Sequence, residues 1–111
     1  MLKKSERTME RYMKAGAEMR LFKTLGAKLI CDISTVLSAS DQDMMMRAMD
    51  KIDQICSRAE DNMFRDHPDL SDQYIDVFYG STDSRPRNEV DKKMIAMAKE
   101  AADELFTGTG R

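Results

Sequence analysis

The chain has 111 residues, of which 41% are hydrophobic and 34% charged, and a net charge of -2. That is enough for one domain with its own core and too apolar for a disordered chain. No run approaches the ~18 apolar residues a membrane-crossing helix requires.

Helix formers dominate, β-branched residues are few, and eleven methionines stand out against two prolines and no tryptophan. The first helical segment is predicted from about Ser5 to Ser38. Its apolar positions are Met9, Tyr12, Met13, Met19, Phe22, Leu25, Leu29, Ile30, Ile33, Val36 and Leu37, all separated by helical steps. The stripe of Met9, Tyr12, Gly16 and Met19 is rotated by roughly 110° from that of Phe22, Leu25, Leu29, Ile33 and Val36. A heptad seam drifts only ~20° in seven residues, so supercoiling accounts for less than half of this rotation. Either the helix bends near Gly16–Gly26 or its halves pack on different surfaces. The second half is expected to be core, and the basic half-helix of residues 1–20 to project as an interaction arm.

After a break at "SAS", Ser40 is the expected N-cap of a second helix, with Asp41 in its first turn and Asp43 completing a capping box. This helix runs to about Arg65, where "DHPD" stops it. Three methionines, Met44, Met45 and Met46, open it. A helix turns about 100° per residue, so they cannot share one face. Met45 lies near the centre of the apolar arc and Met44 at its edge, with Met49, Ile52, Cys56 and Met63 further along. Met46 falls on the polar side, and Phe64, five turns on, shares its direction. A short third helix is predicted from Leu70, Tyr74, Val77 and Phe78, stopped at Gly80. The polar loop "STDSRPRN" leads to a last helix over about residues 87–106 that buries Val90, Met94, Met97, Ala98, Ala101 and Leu105. The fold expected is an all-α bundle of about four helices in a single domain over residues 1–106, with a disordered tail at 107–111.

Catalytic and cofactor signatures are missing. His67 is the only histidine and precedes a proline, so no nucleophilic triad can be assembled around it. There is no glycine-rich phosphate loop, no H-E-x-x-H, and no E-x-x-H pair of a di-iron bundle. "DQD" lacks the further ligands of a calcium loop, and four zinc ligands at suitable spacing are not found. The expectation is therefore a non-enzyme with no cofactor, no metal and no small-molecule substrate. Cys31 and Cys56 fit a reduced, cytoplasmic protein. The opening "MLKKSERTME" has no apolar signal-peptide segment, and no membrane association is expected. Cys31 falls opposite the Phe22–Val36 stripe.

Charge is divided along the chain. Residues 1–28 carry eight basic groups against three glutamates, a balance of +5, whereas residues 41–76 carry ten acidic groups against four basic, a balance of -6. The favoured reading is a helical protein–protein interaction module, an adaptor or regulator that docks to a partner or to a second copy as a homodimer. Its expected contact residues are Met9, Tyr12 and Met13, which with Gly16 have helix-in-groove spacing, together with Met46 and Phe64. A second reading is a nucleic-acid-binding regulator using Lys3, Lys4, Arg7, Arg11, Lys14, Arg20, Lys23 and Lys28 for phosphate contacts. A third is a small phage-type inhibitor whose acidic 41–76 segment occupies a basic groove.

Overall fold

A computed structural model of the chain describes residues 1–80, 82 and 85–107; the expected tail beyond residue 107 lies outside them. Among the described residues three α-helices form the fold: α1 (Met9–Ile33), α2 (Ala39–Asp66) and α3 (Glu89–Thr107). Short 3₁₀ turns occupy Lys4–Glu6 and Asp72–Tyr74. The architecture is all-helical, with three α-helices where about four were expected. The missing one is the segment around residues 70–79. It keeps its apolar spacing, with Val77 and Phe78 fully buried, but folds as a 3₁₀ turn followed by further turns. The carbonyls of Asp76 and Val77 accept hydrogen bonds from the Arg20 side chain, which holds this segment against α1.

Each helix starts at a polar cap. Thr8 Oγ1 accepts from the Arg11 N–H at 3.2 Å, Ser38 Oγ from Asp41 at 3.1 Å, and Asn88 Oδ1 from Asp91 at 2.8 Å. Ser38, not Ser40, therefore begins α2. In the tight α1–α2 connection the Gln42 amide donates to the carbonyls of Ser34 (3.0 Å) and Leu37 (3.1 Å), satisfying acceptors left open after α1.

The helices α1 and α2 form an antiparallel hairpin. Their facing residues recur at alternating steps of three and four: Tyr12, Met19, Lys23, Gly26, Ile30 and Ile33 on α1, and Gln42, Met45, Met49, Ile52, Cys56, Ala59, Met63 and Asp66 on α2. All are buried or half-buried. Met45 is thus in the seam, while Met44 and Met46 are exposed on either side of it. Gly26 stands in the seam, where an added Cβ would lie 2.6 Å from the flexible end of Met49.

The third helix packs antiparallel on one half of this hairpin only. Asp91 in its first turn meets Arg20, Met94 reaches Gly16, and Met97, Ala101 and Glu104 line a surface pocket with Glu10, Lys14 and Ala17. Its 19 residues span about 28 Å at 1.5 Å per residue, so its reach along α1 ends near Arg20. The core follows: Met13, Ala17, Cys56, Met63, Val77, Phe78, Met94 and Ala98, with Met9, Tyr12, Met19 and Phe64 packed partly against it. The expected assignment of the two halves of α1 is reversed. The basic N-terminal half lies in the core lobe, and residues 21–33, expected to be core, project with α2 as a two-helix arm. The rotation of the stripes reflects two packing surfaces on one continuous helix. The radius of gyration is 15.5 Å, against about 13 Å for a compact domain of this length, and the longest dimension is 46 Å.

One polar group ties the lobe together. The Arg20 side chain is fully buried; its Nη1 lies 2.9 Å from Asp91 Oδ1 and its Nε donates to the Val77 carbonyl at 3.1 Å. Gly80 stands directly against the guanidinium, in space a Cβ would occupy. Burial pushes the Asp91 carboxyl up, but the Arg87 N–H and the Arg20 guanidinium outweigh it and hold the group below the usual range. Replacing Arg20 with Ala leaves the buried Asp91 with Arg87 alone beside it, so a loss of up to about 3–5 kcal/mol is expected in urea denaturation, by the usual cost of halving a buried ion pair.

Two glycines of α1 offer a second comparison. Alanine is favoured over glycine within a helix by about 0.5–1 kcal/mol. At Gly26 the methyl meets only the flexible end of Met49, so Gly26→Ala is expected to be neutral or stabilising. At Gly16 it meets the Val77 carbonyl oxygen at 2.7 Å, and Gly16→Ala should lower the melting temperature.

Candidate functional site

The hairpin geometry decides which apolar residues remain open. A residue one position before the seam lies about 100° round its helix. Because α1 and α2 run antiparallel, these positions on both helices point to the same side of the hairpin. On α1 they include Phe22, Leu25 and Leu29, which are 50%, 56% and 41% exposed, with Glu18 and Asp32 at the two ends. On α2 they include Met44 and Ile55, 61% and 51% exposed, and the exposed Ala48 between them. Val36, in the turn at the tip, is also exposed. Residues one position after the seam, Met13 and Arg20, point the other way and, with Ala17 between them, carry the lobe. The arm therefore has one apolar face that no described element covers. Towards the lobe this face deepens into a groove of about 490 Å³ lined by Ala15, Glu18, Met19, Phe22 and Ile52.

The expected contact residues are distributed differently. Met13 is buried in the core and Met9 packs against it. Tyr12 is half-buried, and its hydroxyl donates to Asp66 Oδ2. Phe64 is half-buried against the core, on the same side of α2 as the exposed Met46. None of the five lies on the open face of the arm. Sequence periodicity found the stripe of Phe22, Leu25, Leu29 and Val36 but gave no measure of how far the last helix reaches along α1.

Nor do the eight basic residues of the first segment form one surface. Arg20 is buried, and Arg7 is paired with Asp66. Lys23 lies 4.6 Å above the Tyr79 ring and 3.6 Å from Asp53, and Lys28 pairs with Asp32 at 2.8 Å. Lys3, Lys4, Arg11 and Lys14 remain exposed around the lobe end.

Groups capable of acid–base or nucleophilic chemistry are dispersed or engaged. His67 Nε2 is 2.8 Å from the Arg7 carbonyl oxygen, which can only accept, so this nitrogen carries the proton. The ring sits edge-on to Tyr12 at 5.9 Å. Cys56 is fully buried, and burial pushes its thiol up; Cys31 is exposed on the arm. Among the described residues no three His, Cys, Asp or Glu side chains are grouped to hold a metal, and no helix is long and apolar enough to cross a membrane.

Below the arm, Asp66 closes α2 and fastens the N-terminal segment. Arg7 Nε and Nη2 donate to its two carboxylate oxygens and Tyr12 donates to one of them. An acid at a helix C-terminus opposes the helix dipole, and the guanidinium offsets it. The hydrogen bonds from Arg7 and Tyr12 hold the Asp66 carboxyl far below the usual range. A carboxyl depressed in the folded state stabilises above the ordinary aspartate value of about 3.9 and loses that contribution as pH falls. Asp66→Asn should therefore be less stable than the parent at pH 7, with the gap in urea midpoint narrowing progressively below about pH 4. A gap of constant size would remove the ionised carboxylate as its source.

No protein-family model matches this chain, and no match is found among the curated proteins or the solved structures.

Proposed function

We propose that the chain is a non-enzymatic protein–protein interaction module, an adaptor or regulator that recognises its partner through the open apolar face of the α1–α2 arm. One observation supports this above the others. Five large apolar side chains on two helices are each 41–61% exposed on a single side of the hairpin, and contiguous apolar surface of this kind marks interaction sites. A lone exposed leucine is unremarkable, but a row at three- and four-residue steps on α1, flanked on the same side by Met44 and Ile55 of α2, is a surface with a direction. The lobe holds the arm at one end, where Arg20 meets Asp91 and Lys23 meets Tyr79. The dispersal of the basic residues around α1 gives a nucleic-acid reading no comparable surface.

The test is Leu25→Asp combined with Leu29→Asp. Both side chains are exposed, so stability should change by only about 0.5 kcal/mol per site and far-UV helicity should persist. Affinity capture from host lysate treated with nuclease is then compared between the parent and the double variant. A stoichiometric protein bound by the parent and lost from the variant supports the reading. Capture of the same protein by both chains overturns it.

A further inference from the structure

The edge of the arm's apolar face indicates what covers it. On α2, Arg47, Lys51, Arg58 and Arg65 fall within about 40° of one another on the helical wheel, along the outer margin of the open face. They are all the basic residues of a helix that reads as acidic in sequence. Asp50, Asp53 and Glu60 lie on the opposite flank. All four basic groups are exposed, and only Arg47 has an ion pair with a described residue, at 3.0 Å to Asp43. Lys51, Arg58 and Arg65 make none. The α1 margin carries Glu18 and Asp32, the latter already paired with Lys28.

We infer that the occupant of this face is an acidic amphipathic helix of a partner protein, lying along the groove between α1 and α2. This rests on the interaction reading above and deepens it. From Ala15, at the lobe end of the groove, to Leu29 the open strip covers 14 helical steps, about 21 Å, which matches a ligand helix of roughly four turns. Leucine-like anchors at i, i+3 or i+4, and i+7 fill the strip, and glutamates or aspartates on one flank meet Lys51 and Arg58; Arg65, next to the Asp66 that binds Tyr12, lies beyond it. A second copy fits less well. Laid α1 on α1, two copies bring their basic rows together. Laid α1 on α2, they oppose that row with Glu18 and the already paired Asp32, and set Arg11 against Arg65. An anionic bilayer would meet a concave surface with Glu18 on its rim.

The test uses the full chain and two labelled synthetic helices of about 18 residues with the same leucine pattern, one flanked by glutamate and one by lysine. Fluorescence anisotropy should show the glutamate peptide binding at least ~10-fold more tightly, with affinity falling as ionic strength rises. Lys51→Glu with Arg58→Glu should reverse the preference at unchanged helicity, and Leu25→Asp should weaken both peptides. Equal binding of the two peptides, or preference for lysine, overturns the inference. So does a concentration-dependent dimer in sedimentation that Leu25→Asp disrupts, or flotation with phosphatidylserine vesicles without peptide binding. If lysate capture depends on Leu25 and Leu29 while the glutamate peptide neither binds nor competes, the acidic helix is excluded and the interaction face stands. If capture ignores the arm, the interaction face itself falls.

Discussion

The buried guanidinium of Arg20 sets the layout of the molecule. A desolvated cation is costly unless it is paired and hydrogen-bonded, so everything that touches Arg20 is constrained to meet it. Asp91 must stand in the first turn of α3, which fixes where that helix starts and therefore how much of α1 it covers. The carbonyls of Asp76 and Val77 must turn towards α1, and Gly80 must leave room beside the guanidinium. Arg87 extends the network by bridging Asp76 and Asp91. One side chain thus specifies the junction of three chain segments.

The division into lobe and arm follows from that junction. On the lobe side of Arg20, α1 is covered by α3 and by the Val77–Phe78 turn. Lys23 and Thr24 still touch Tyr79 and Thr82, and beyond them the helix packs on α2. A two-helix seam buries one stripe of each partner, and the rest of the apolar surface stays in water. Segregation of charge on α2 belongs to the same picture. Asp53 and Glu60 face the side where Lys23 and Tyr79 lie, and the bases line the margin of the open face.

Much of this was legible in the sequence, and the failures have definite causes. Helical periodicity located all three α-helices, and the placement of Met44, Met45 and Met46 followed from the 100° step alone. The two rotated stripes of α1 were visible as well. Which stripe was core was not, because the answer depends on the position of one tertiary ion pair. In the sequence Arg20 reads as another basic residue in a basic segment, and nothing local marks it as the buried one. The turn at residues 70–79 was misread for the same reason. Its apolar spacing is helical, but two of its carbonyls are claimed by a side chain more than fifty residues away. The start of α2 was displaced by two residues because Ser38 and Ser40 are equally good caps by type.

The absence of a third layer on the arm also has a dynamic meaning. Opening free energies vary across a protein with the buried contacts each unit would lose. The amides of residues 21–33 and 39–50 are protected by a single seam interrupted by Gly26 and Lys23, whereas those around Arg20 are released only when the lobe comes apart. Hydrogen exchange should therefore divide α1 into a slow segment and a faster one although the helix is continuous. The arm is then a distinct cooperative unit, and whatever lies along it adds protection where the fold has least of its own.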